Sequence, residues 1–278
     1  MTRFYKLSGA GNDFLALAEP AAVPGEAEIR AWCRRGVSLG ADGLFVLRRS
    51  PGAAGGLDMD YWNADGLPAD LCLNGTRCAA QLAFLLGWAE GETTVATPAG
   101  RFRARRLDAS RVELEVPAPL APPREMVFDA AGEPVTAWFL PVGVPHLVLP
   151  WPAGLAGAPV VALGRPLRSA PELGPAGANV NFVRFPSPER MEIRTFERGV
   201  EDETLACGTG VLAGAAVGLH LGMARLPLAV LTQGGFELAV GQRGEGWTLA
   251  GDARLIADGD LHVETAGGPP PARWSAGL

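Results

Sequence analysis

Runs in which apolar and polar residues alternate recur along the chain and predict β-strands, because successive side chains of a strand point to opposite faces. Their β-branched and aromatic residues favour the same structure. The predicted strands are Leu44–Leu47, Leu57–Trp62, Thr93–Thr97, Val112–Val116, Leu147–Leu149, Arg190–Phe196, Phe236–Val240, Trp247–Leu249 and Leu261–Val263.

Helical periodicity is rarer and predicts three helices, over Glu26–Arg35, Gly75–Trp88 and Gly208–Leu221. Many strands with few helices indicate an α+β fold rather than a doubly wound parallel sheet. The stretch Pro117–Pro123 has four prolines in seven residues, so it can continue neither a strand nor a helix and is the best linker candidate. We therefore predict a first half over residues 1–118 and a second over 119–264. The tail, residues 265–278, is a candidate to pack on the first half.

The two halves repeat one pattern, which indicates a duplication. In each, a strand leads through a polar segment to a cysteine, then to a glycine three residues later and an apolar helix. Asn63 precedes Cys72 by nine residues, and Arg198 precedes Cys207 by nine. The sequence thus predicts two similar units, each with one thiol at the start of a central helix.

Composition narrows the class of protein. The chain has 278 residues, of which 48% are hydrophobic, enough to bury a substantial core. Its net charge of -6 argues against a nucleic-acid partner. The N-terminus lacks the apolar run of a signal peptide, and the longest apolar stretch, Val211–Leu231, is interrupted by His220, Arg225 and Pro227. We therefore expect a cytoplasmic protein without a membrane partner.

The positions of Cys72 and Cys207 suggest acid–base chemistry. A helix N-terminus has unpaired N–H groups and a partial positive charge, which lower the pKa of a thiol and can bind a carboxylate. If the two helix starts face each other, one thiolate can remove a proton from a carbon while the other thiol returns one on the opposite face. Such a reaction inverts a stereocentre without a cofactor.

The remaining cysteines and histidines have simpler interpretations. Cys33 and Cys78 are expected to be small buried hydrophobes, and no Cys or His spacing predicts a metal site. His220 and His262 lie in apolar patterns, whereas His146 lies in a turn before a strand and could reach a site. The Gly-rich segment Ser8–Asp13 lacks the Lys-Ser/Thr of a phosphate-binding loop, so we interpret it as a turn that presents Asn12.

Seven motifs are distributed across both halves: Phe4–Phe14, Gly40–Gly43, Asn63–Gly66, Cys72–Cys78, Thr97–Gly100, Pro145-His146 and Glu197–Gly210. Taken together, and in this order, they resemble the motifs of the diaminopimelate epimerase family. No single motif decides the resemblance, but the set is specific.

The resemblance implies two pseudo-symmetric domains, each a barrel-like, mostly antiparallel sheet around a central helix, with the site in the cleft between them. It implies an epimerase that needs no pyridoxal phosphate and interconverts LL- and meso-2,6-diaminopimelate for lysine and peptidoglycan synthesis. Cys72 and Cys207 would be the acid–base pair. The ligands of the distal end of the substrate would be Asn12, Asn63, Asn179 and Arg198. The reacting carboxylate would bind to the amides of Leu73, Asn74, Gly208 and Thr209. His146 and Glu197 would tune the pKa values of the thiols, and Glu197 would also contact the substrate.

Two departures from the family pattern bear on substrate identity. Leu73 stands where the family usually has glycine, and Val144 where many members have asparagine. One alternative is a racemase of the same fold for another amino acid, of the proline or hydroxyproline type, although those usually carry histidine at the position of Asn74. Another is a non-catalytic amino-acid-binding or redox-sensing protein with a Cys72–Cys207 disulfide. The expected partners are a small amino-acid substrate and a second copy of the chain, as a homodimer.

Overall fold

A computed structural model describes residues 2–51, 56–117, 121–130 and 132–261. Residues 118–120 of the predicted linker, His262, Val263 and the tail 265–278 lie outside the described residues. Seventeen strands within the described ranges join in one continuous sheet with four α-helices, so the α+β prediction is confirmed.

The first half contains seven strands and two helices. In chain order they are β1 (Thr2–Gly9), β2 (Asn12–Ala18), α1 (Glu26–Cys33), β3 (Gly43–Arg49), β4 (Leu57–Asn63), α2 (Leu73–Leu85), β5 (Glu92–Thr97), β6 (Gly100–Arg106) and β7 (Arg111–Val116).

The rest of the described chain contains ten strands and two helices. In order they are β8 (Arg124–Ala130), β9 (Glu133–Val142), β10 (Val144–Pro150), α3 (Val160–Arg168), β11 (Asn179–Ser187), β12 (Arg190–Glu197), β13 (Asp202–Thr204), α4 (Gly208–His220), β14 (Leu228–Thr232), β15 (Glu237–Arg243), β16 (Gly246–Asp252) and β17 (Arg254–Leu261). Short 3-10 turns occur at Leu155–Gly157 and Pro171–Leu173.

The order of strand pairing repeats between the halves. From β1 to β7 the successive pairs are antiparallel, parallel, antiparallel, parallel, antiparallel and antiparallel. The same order joins β9, β10, β11, β12, β14, β15 and β16. Each parallel pair is connected through a helix, as a parallel crossover requires. The repeat found around the two cysteines therefore extends through each half.

Four further pairings complete the sheet, one of which joins the short strand β13 antiparallel to β12. β7 pairs with β16 and joins the halves, and β8 pairs with β9. β17, which falls in the range 119–264, crosses back to pair antiparallel with β1. The division at residues 118 and 119 stays a prediction.

Several strands are buried on both faces, which explains their continuous apolar runs. On β3, Phe45 and Leu47 face the core around α2, whereas Leu44 and Val46 face a second cluster with Ile29 and Trp32 of α1. The second half has the same arrangement, with α4 in the main core and α3 against the outer face of β10 and β11. The two central helices, α2 and α4, are thereby surrounded by packed side chains, which hold their first turns in position.

The three predicted helices are confirmed, but α3 was not predicted. It carries Gly164 and Pro166, which weaken the helical pattern in the sequence. A Cβ at Gly164 would lie 2.6 Å from the Cβ of Phe196, so glycine allows α3 to approach β12 closely. No helix in the described part of the chain is long and apolar enough to cross a bilayer.

Candidate active site

Cys72 and Cys207 are the N-cap residues of α2 and α4, as predicted from the glycine-rich helix starts. Both have the extended backbone typical of an N-cap, with φ of -139° and -115°. The Sγ of Cys72 accepts a hydrogen bond from the N–H of Gly75 at 3.4 Å. The Sγ of Cys207 lies 3.5 Å from Oγ1 of Thr209. Each thiol is thus turned toward the first turn of its own helix.

The first turns of α2 and α4 meet between the halves. A Cβ placed on Gly208 would lie 3.1 Å from the Cβ of Leu73, so the residues after the two cysteines are in contact. The Nδ2 of Asn74 donates to the carbonyl of Ala206 at 3.1 Å. The first N–H groups of a helix have no intrahelical partner. Two sets of anion-binding N–H groups, one from each half, therefore lie next to each other.

Each half also covers the cysteine loop of the other with a hairpin turn. The β1–β2 turn contains Gly11, where a Cβ would lie 3.0 Å from side-chain atoms of Leu205 in the second half. The β9–β10 turn contains Gly143, where a Cβ would lie 3.4 Å from Leu71 in the first half. Both glycines have positive φ, 90° and 71°, which glycine adopts without strain. Each half thus places a turn against the segment that leads to the cysteine of the other half.

Asn12 begins β2 after the predicted turn, but its amide is already engaged. Its Nδ2 donates to Asp42 at 3.2 Å, and its Oδ1 accepts from Nδ2 of Asn74 at 2.6 Å. The Oδ1 of Asn74 accepts in turn from Arg77 at 2.7 Å. The Asn74 side chain therefore joins the halves, and its backbone N–H acts on the Cys72 thiol at the helix start.

Of the distal-end candidates, Asn179 and Arg198 are joined by a hydrogen bond. The Oδ1 of Asn179 accepts from the backbone N–H of Arg198 at 2.7 Å, and Nη1 of Arg198 donates to the carbonyl of Ala176 at 3.2 Å. Asn179 is buried, and it pairs with His146 across β11 and β10. Asn63 ends β4 with an exposed side chain.

Burial dominates the ionisation of the thiols. It raises the pKa of Cys72 to about 11 and that of Cys207 to about 12, and the Glu197 carboxylate raises the pKa of both further. The expected lowering of the thiol pKa values by the helix N-termini is therefore wrong. N–H groups such as that of Gly75 do lower the pKa of Cys72, but desolvation of the charged sulfur is the larger effect.

Glu197 is the ionisable neighbour that the two thiols share. It ends β12 and accepts a hydrogen bond from Oγ1 of Thr204 at 2.7 Å. Burial raises its own pKa, and the Thr204 hydroxyl partly opposes that shift. A carboxyl group that acts on both sulfurs fits the predicted tuning role.

His146 is fully buried on β10 and is neutral at pH 7, because burial and the Arg198 cation lower its pKa to about 3. Its Nδ1 lies 3.1 Å from Nδ2 of Asn181, and its Nε2 has no hydrogen-bond partner among the described residues. The imidazole is therefore a neutral, buried polar group beside Asn181.

Sequence reasoning missed two buried residues of this region, Arg77 and Asn181. Arg77 is the single charged residue of α2, which was a usable signal. Asn181 lies two positions after Asn179 on β11, and side chains two positions apart on a strand point to the same face. The strand pattern alone could therefore have grouped the two residues. Cys33 and Cys78 are buried, as expected for small hydrophobes.

Leu73 is accommodated without backbone strain, because it begins α2 in a helical conformation. Its side chain lines an apolar cavity of about 360 Å³ between the halves, together with Leu71, Phe102, Val142, Thr209 and Leu212. No cluster of His, Cys, Asp and Glu able to hold a metal ion occurs in the described ranges.

Comparison with known proteins identifies the family. The diaminopimelate epimerase family model matches residues 4–114 and 139–256. The diaminopimelate epimerase of Aquifex aeolicus is 35% identical over 248 residues, covering 85% of this chain and 88% of its own. That of Chlorobaculum tepidum is 36% identical over 269 residues, covering 92% and 99%.

Solved structures with little sequence identity share the fold. A PhzF-family phenazine biosynthesis protein from Enterococcus faecalis has a TM-score of 0.71 at 15% identity, covering 94% of this chain and 99% of its own. A hydroxyproline epimerase from Agrobacterium vitis has a TM-score of 0.66 at 16% identity, covering 93% and 91%. The family match and the curated relatives together show that this chain belongs to the diaminopimelate epimerase family.

Proposed function

We propose that this chain is a diaminopimelate epimerase that interconverts LL- and meso-2,6-diaminopimelate by cofactor-independent proton transfer, for lysine and peptidoglycan synthesis. The observation that carries the proposal is the pair of N-cap thiols, Cys72 and Cys207, on two central helices whose first turns touch. The relatives named diaminopimelate epimerase cover nearly the whole chain and support the choice of substrate.

In the proposed mechanism the reacting carboxylate binds to the N–H groups at the starts of α2 and α4. The N–H donors are those of Leu73, Asn74, Gly208 and Thr209. One cysteine, as thiolate, takes the α-proton, and the electron pair of the broken C–H bond stays on the carbon and its carboxylate. The other cysteine, as thiol, donates its proton to the opposite face. The helix N-termini stabilise the developing negative charge, and the cysteines exchange roles when the direction reverses.

The raised thiol pKa values indicate that the thiolate forms once substrate is bound. Burial holds the pKa of both thiols well above 7, which favours the thiol form at neutral pH. The cationic ammonium group of an amino-acid substrate stabilises a nearby anion and favours ionisation of one thiol. We propose that Glu197 accepts or returns that proton, since burial raises the pKa of its carboxyl group.

We propose that the distal amino-acid end binds at Asn179, Arg198, Asn63 and Asn12, with Glu197 as a further contact. Asn179 and Arg198 support this assignment best, because they are already joined by a hydrogen bond at 2.7 Å. Asn12 would contribute beside its existing bonds to Asp42 and Asn74. Val144 offers no side-chain hydrogen bond, so the remaining polar groups have a larger share in recognition.

The decisive experiment measures deuterium incorporation at the α-carbon of LL-diaminopimelate in D2O under reducing conditions. Proline, hydroxyproline, lysine and ornithine are tested in parallel. We expect exchange with diaminopimelate only. Exchange with proline or hydroxyproline and none with diaminopimelate would replace the substrate assignment with the racemase alternative.

Single substitutions test the two-base chemistry in the same assay. Cys72→Ala and Cys207→Ala should each lower the epimerisation rate by about 10²–10⁴-fold, the usual contribution of an acid–base group. The buried Cys33→Ala is the matched control and should retain exchange. Wild-type epimerisation in both active-site variants would contradict the mechanism.

The proposal also covers the location of the protein, its assembly and its division into structural units. We propose that the protein acts as a cytoplasmic homodimer and that its halves, 1–118 and 119–264, are the two structural units. Sedimentation analysis of the purified full chain, across a range of protein concentrations, tests the dimer; a monomer throughout would contradict it.

A further inference from the structure

Asn181 lies under the first turn of α4, close to the second cysteine. It is fully buried on β11. A Cβ placed on Gly210 would lie 2.3 Å from Oδ1 of Asn181 and 3.4 Å from the Cβ of Cys207. Glycine at position 210 therefore makes room for this amide beside the Cys207 helix start.

The hydrogen bonds of Asn181 determine which way its amide points. The Nδ2 donates to the carbonyl of Leu147 at 2.9 Å, and a carbonyl oxygen can only accept. The Oδ1 accepts from Oγ1 of Thr195 at 3.0 Å. Reversing the amide would place two oxygens against each other, so Nδ2 is fixed on the side of His146.

The amide orientation in turn determines the tautomer of His146. The second hydrogen of Asn181 Nδ2 points to Nδ1 of His146, 3.1 Å away. Nδ1 must then be the acceptor, and in a neutral imidazole the proton resides on Nε2. The Nε2 atom is buried and has no partner in the part of the chain that the structure describes. An unmatched buried donor is costly, which is a reason to look for a functional acceptor.

We infer that Asn181 is a positioning residue that fixes His146 as its Nε2–H tautomer and so provides the site with a neutral hydrogen-bond donor for an anionic group. This inference rests on the proposed function, in which anionic groups form at the thiols and the carboxylate. The low pKa of His146, caused by burial and the Arg198 cation, agrees with a neutral ring. His146 then acts as a donor and not as a general base.

Nitrogen chemical shifts of isotope-labelled histidine in the full-length protein test the tautomer directly. His146→Gln identifies the His146 signals among those of the three histidines. We expect a protonated Nε2 and an unprotonated Nδ1 in the wild-type protein at neutral pH. A protonated Nδ1 would overturn the inference, and this measurement needs no substitution at Asn181.

Two substitutions test the role of Asn181. In Asn181→Asp the carboxylate accepts from Nδ1–H, so the tautomer should switch and present a lone pair at Nε2. Losing one donor to a developing charge lowers kcat by about 10²–10³-fold, and deuterium exchange should fall by that factor. Asn181→Ala removes the amide, so we expect a mixture of both tautomers. An unchanged tautomer in both variants, or a switched tautomer with unchanged exchange, would overturn the inference.

Gln81→Glu is the matched control for folding. Gln81 is fully buried, and its Nε2 donates to the carbonyl of Ala109 at 2.6 Å, so the same amide-to-acid change perturbs a similar bond without a histidine. The His146 signals should not change in this variant. A tautomer switch in Gln81→Glu would attribute the effect to general destabilisation and overturn the inference. Absence of deuterium exchange in the wild-type protein would contradict the proposed function instead, while the tautomer measurement would still decide the His146 assignment.

Discussion

The side-chain amide of Asn74 donates a hydrogen bond to the carbonyl of Ala206, at 3.1 Å and 132 positions further along the chain. It connects the first turn of α2 to the residue that precedes Cys207. The same side chain accepts from the fully buried Arg77. One amide held by a guanidinium group therefore links the two cysteine loops.

Removing that amide should destabilise the protein and separate the loops. In Asn74→Ala, Arg77 and Ala206 lose a buried partner, and we expect the free energy of unfolding to fall by about 2–4 kcal/mol. Urea denaturation measures it. The double variant Asn74→Ala/Arg77→Met should lose less unfolding free energy than the two single variants lose in sum. The reason is that the double variant leaves no buried charge without its partner. Strict additivity would contradict the coupling.

The contact between Leu73 and Gly208 makes a second, compensating prediction. In Gly208→Ala the new Cβ would lie 3.1 Å from the Cβ of Leu73, and we expect a loss of about 1–2 kcal/mol from overpacking. Leu73→Gly removes the opposing atom. Adding Gly208→Ala to the Leu73→Gly variant should therefore cost much less stability than adding it to the wild type. Urea unfolding of all four proteins checks this. Equal costs of Gly208→Ala in both backgrounds would show that the two residues do not press on each other.

Glu197 contributes to the raised pKa of both thiols, beside the larger effect of burial. Its carboxylate raises the pKa of Cys72 and of Cys207, so Glu197→Gln should shift thiolate formation to lower pH. Titration of the thiolate ultraviolet absorbance measures the shift. Glu192→Gln is the control, because Glu192 lies on the same strand but pairs with Arg184 at 3.2 Å. A thiol titration midpoint that stays in place or rises in Glu197→Gln would contradict the assignment.

His146 should make the protein sensitive to acid. Burial and the Arg198 cation lower its pKa to about 3, below the usual value of about 6.5 in an unfolded chain. As pH falls below about 6.5 the unfolded chain takes up a proton that the folded protein does not, so stability falls. Between pH 7 and 4.5 the wild type should lose about 2–3 kcal/mol more than His146→Gln.

Urea unfolding at several pH values measures that difference. His220→Gln, at an exposed position, serves as the control variant. If the wild type and His146→Gln lose stability equally on acidification, another group is responsible.

Local pattern was enough to predict the elements that hold the thiols. A helix start needs a cap residue and a following turn, and Cys72 and Cys207 with the few residues after each of them supply both. The strands around Leu57–Trp62 and Arg190–Phe196 follow from alternation, which is also local. The pattern did not predict α3, because Gly164 and Pro166 disfavour a helix locally. Tertiary packing, including the close approach to Phe196, offsets that local preference.

The sequence by itself determined the two cysteine-capped helices, their duplication and the family motifs, because these depend on residues close together in the chain. The tertiary structure decided the rest. It made Asn74 a connection between the halves, placed Asn181 against His146, and returned β17 to β1. It also reversed the expected shift of the thiol pKa values, since desolvation depends on atoms from both halves that enclose the sulfurs, and no local motif encodes that burial.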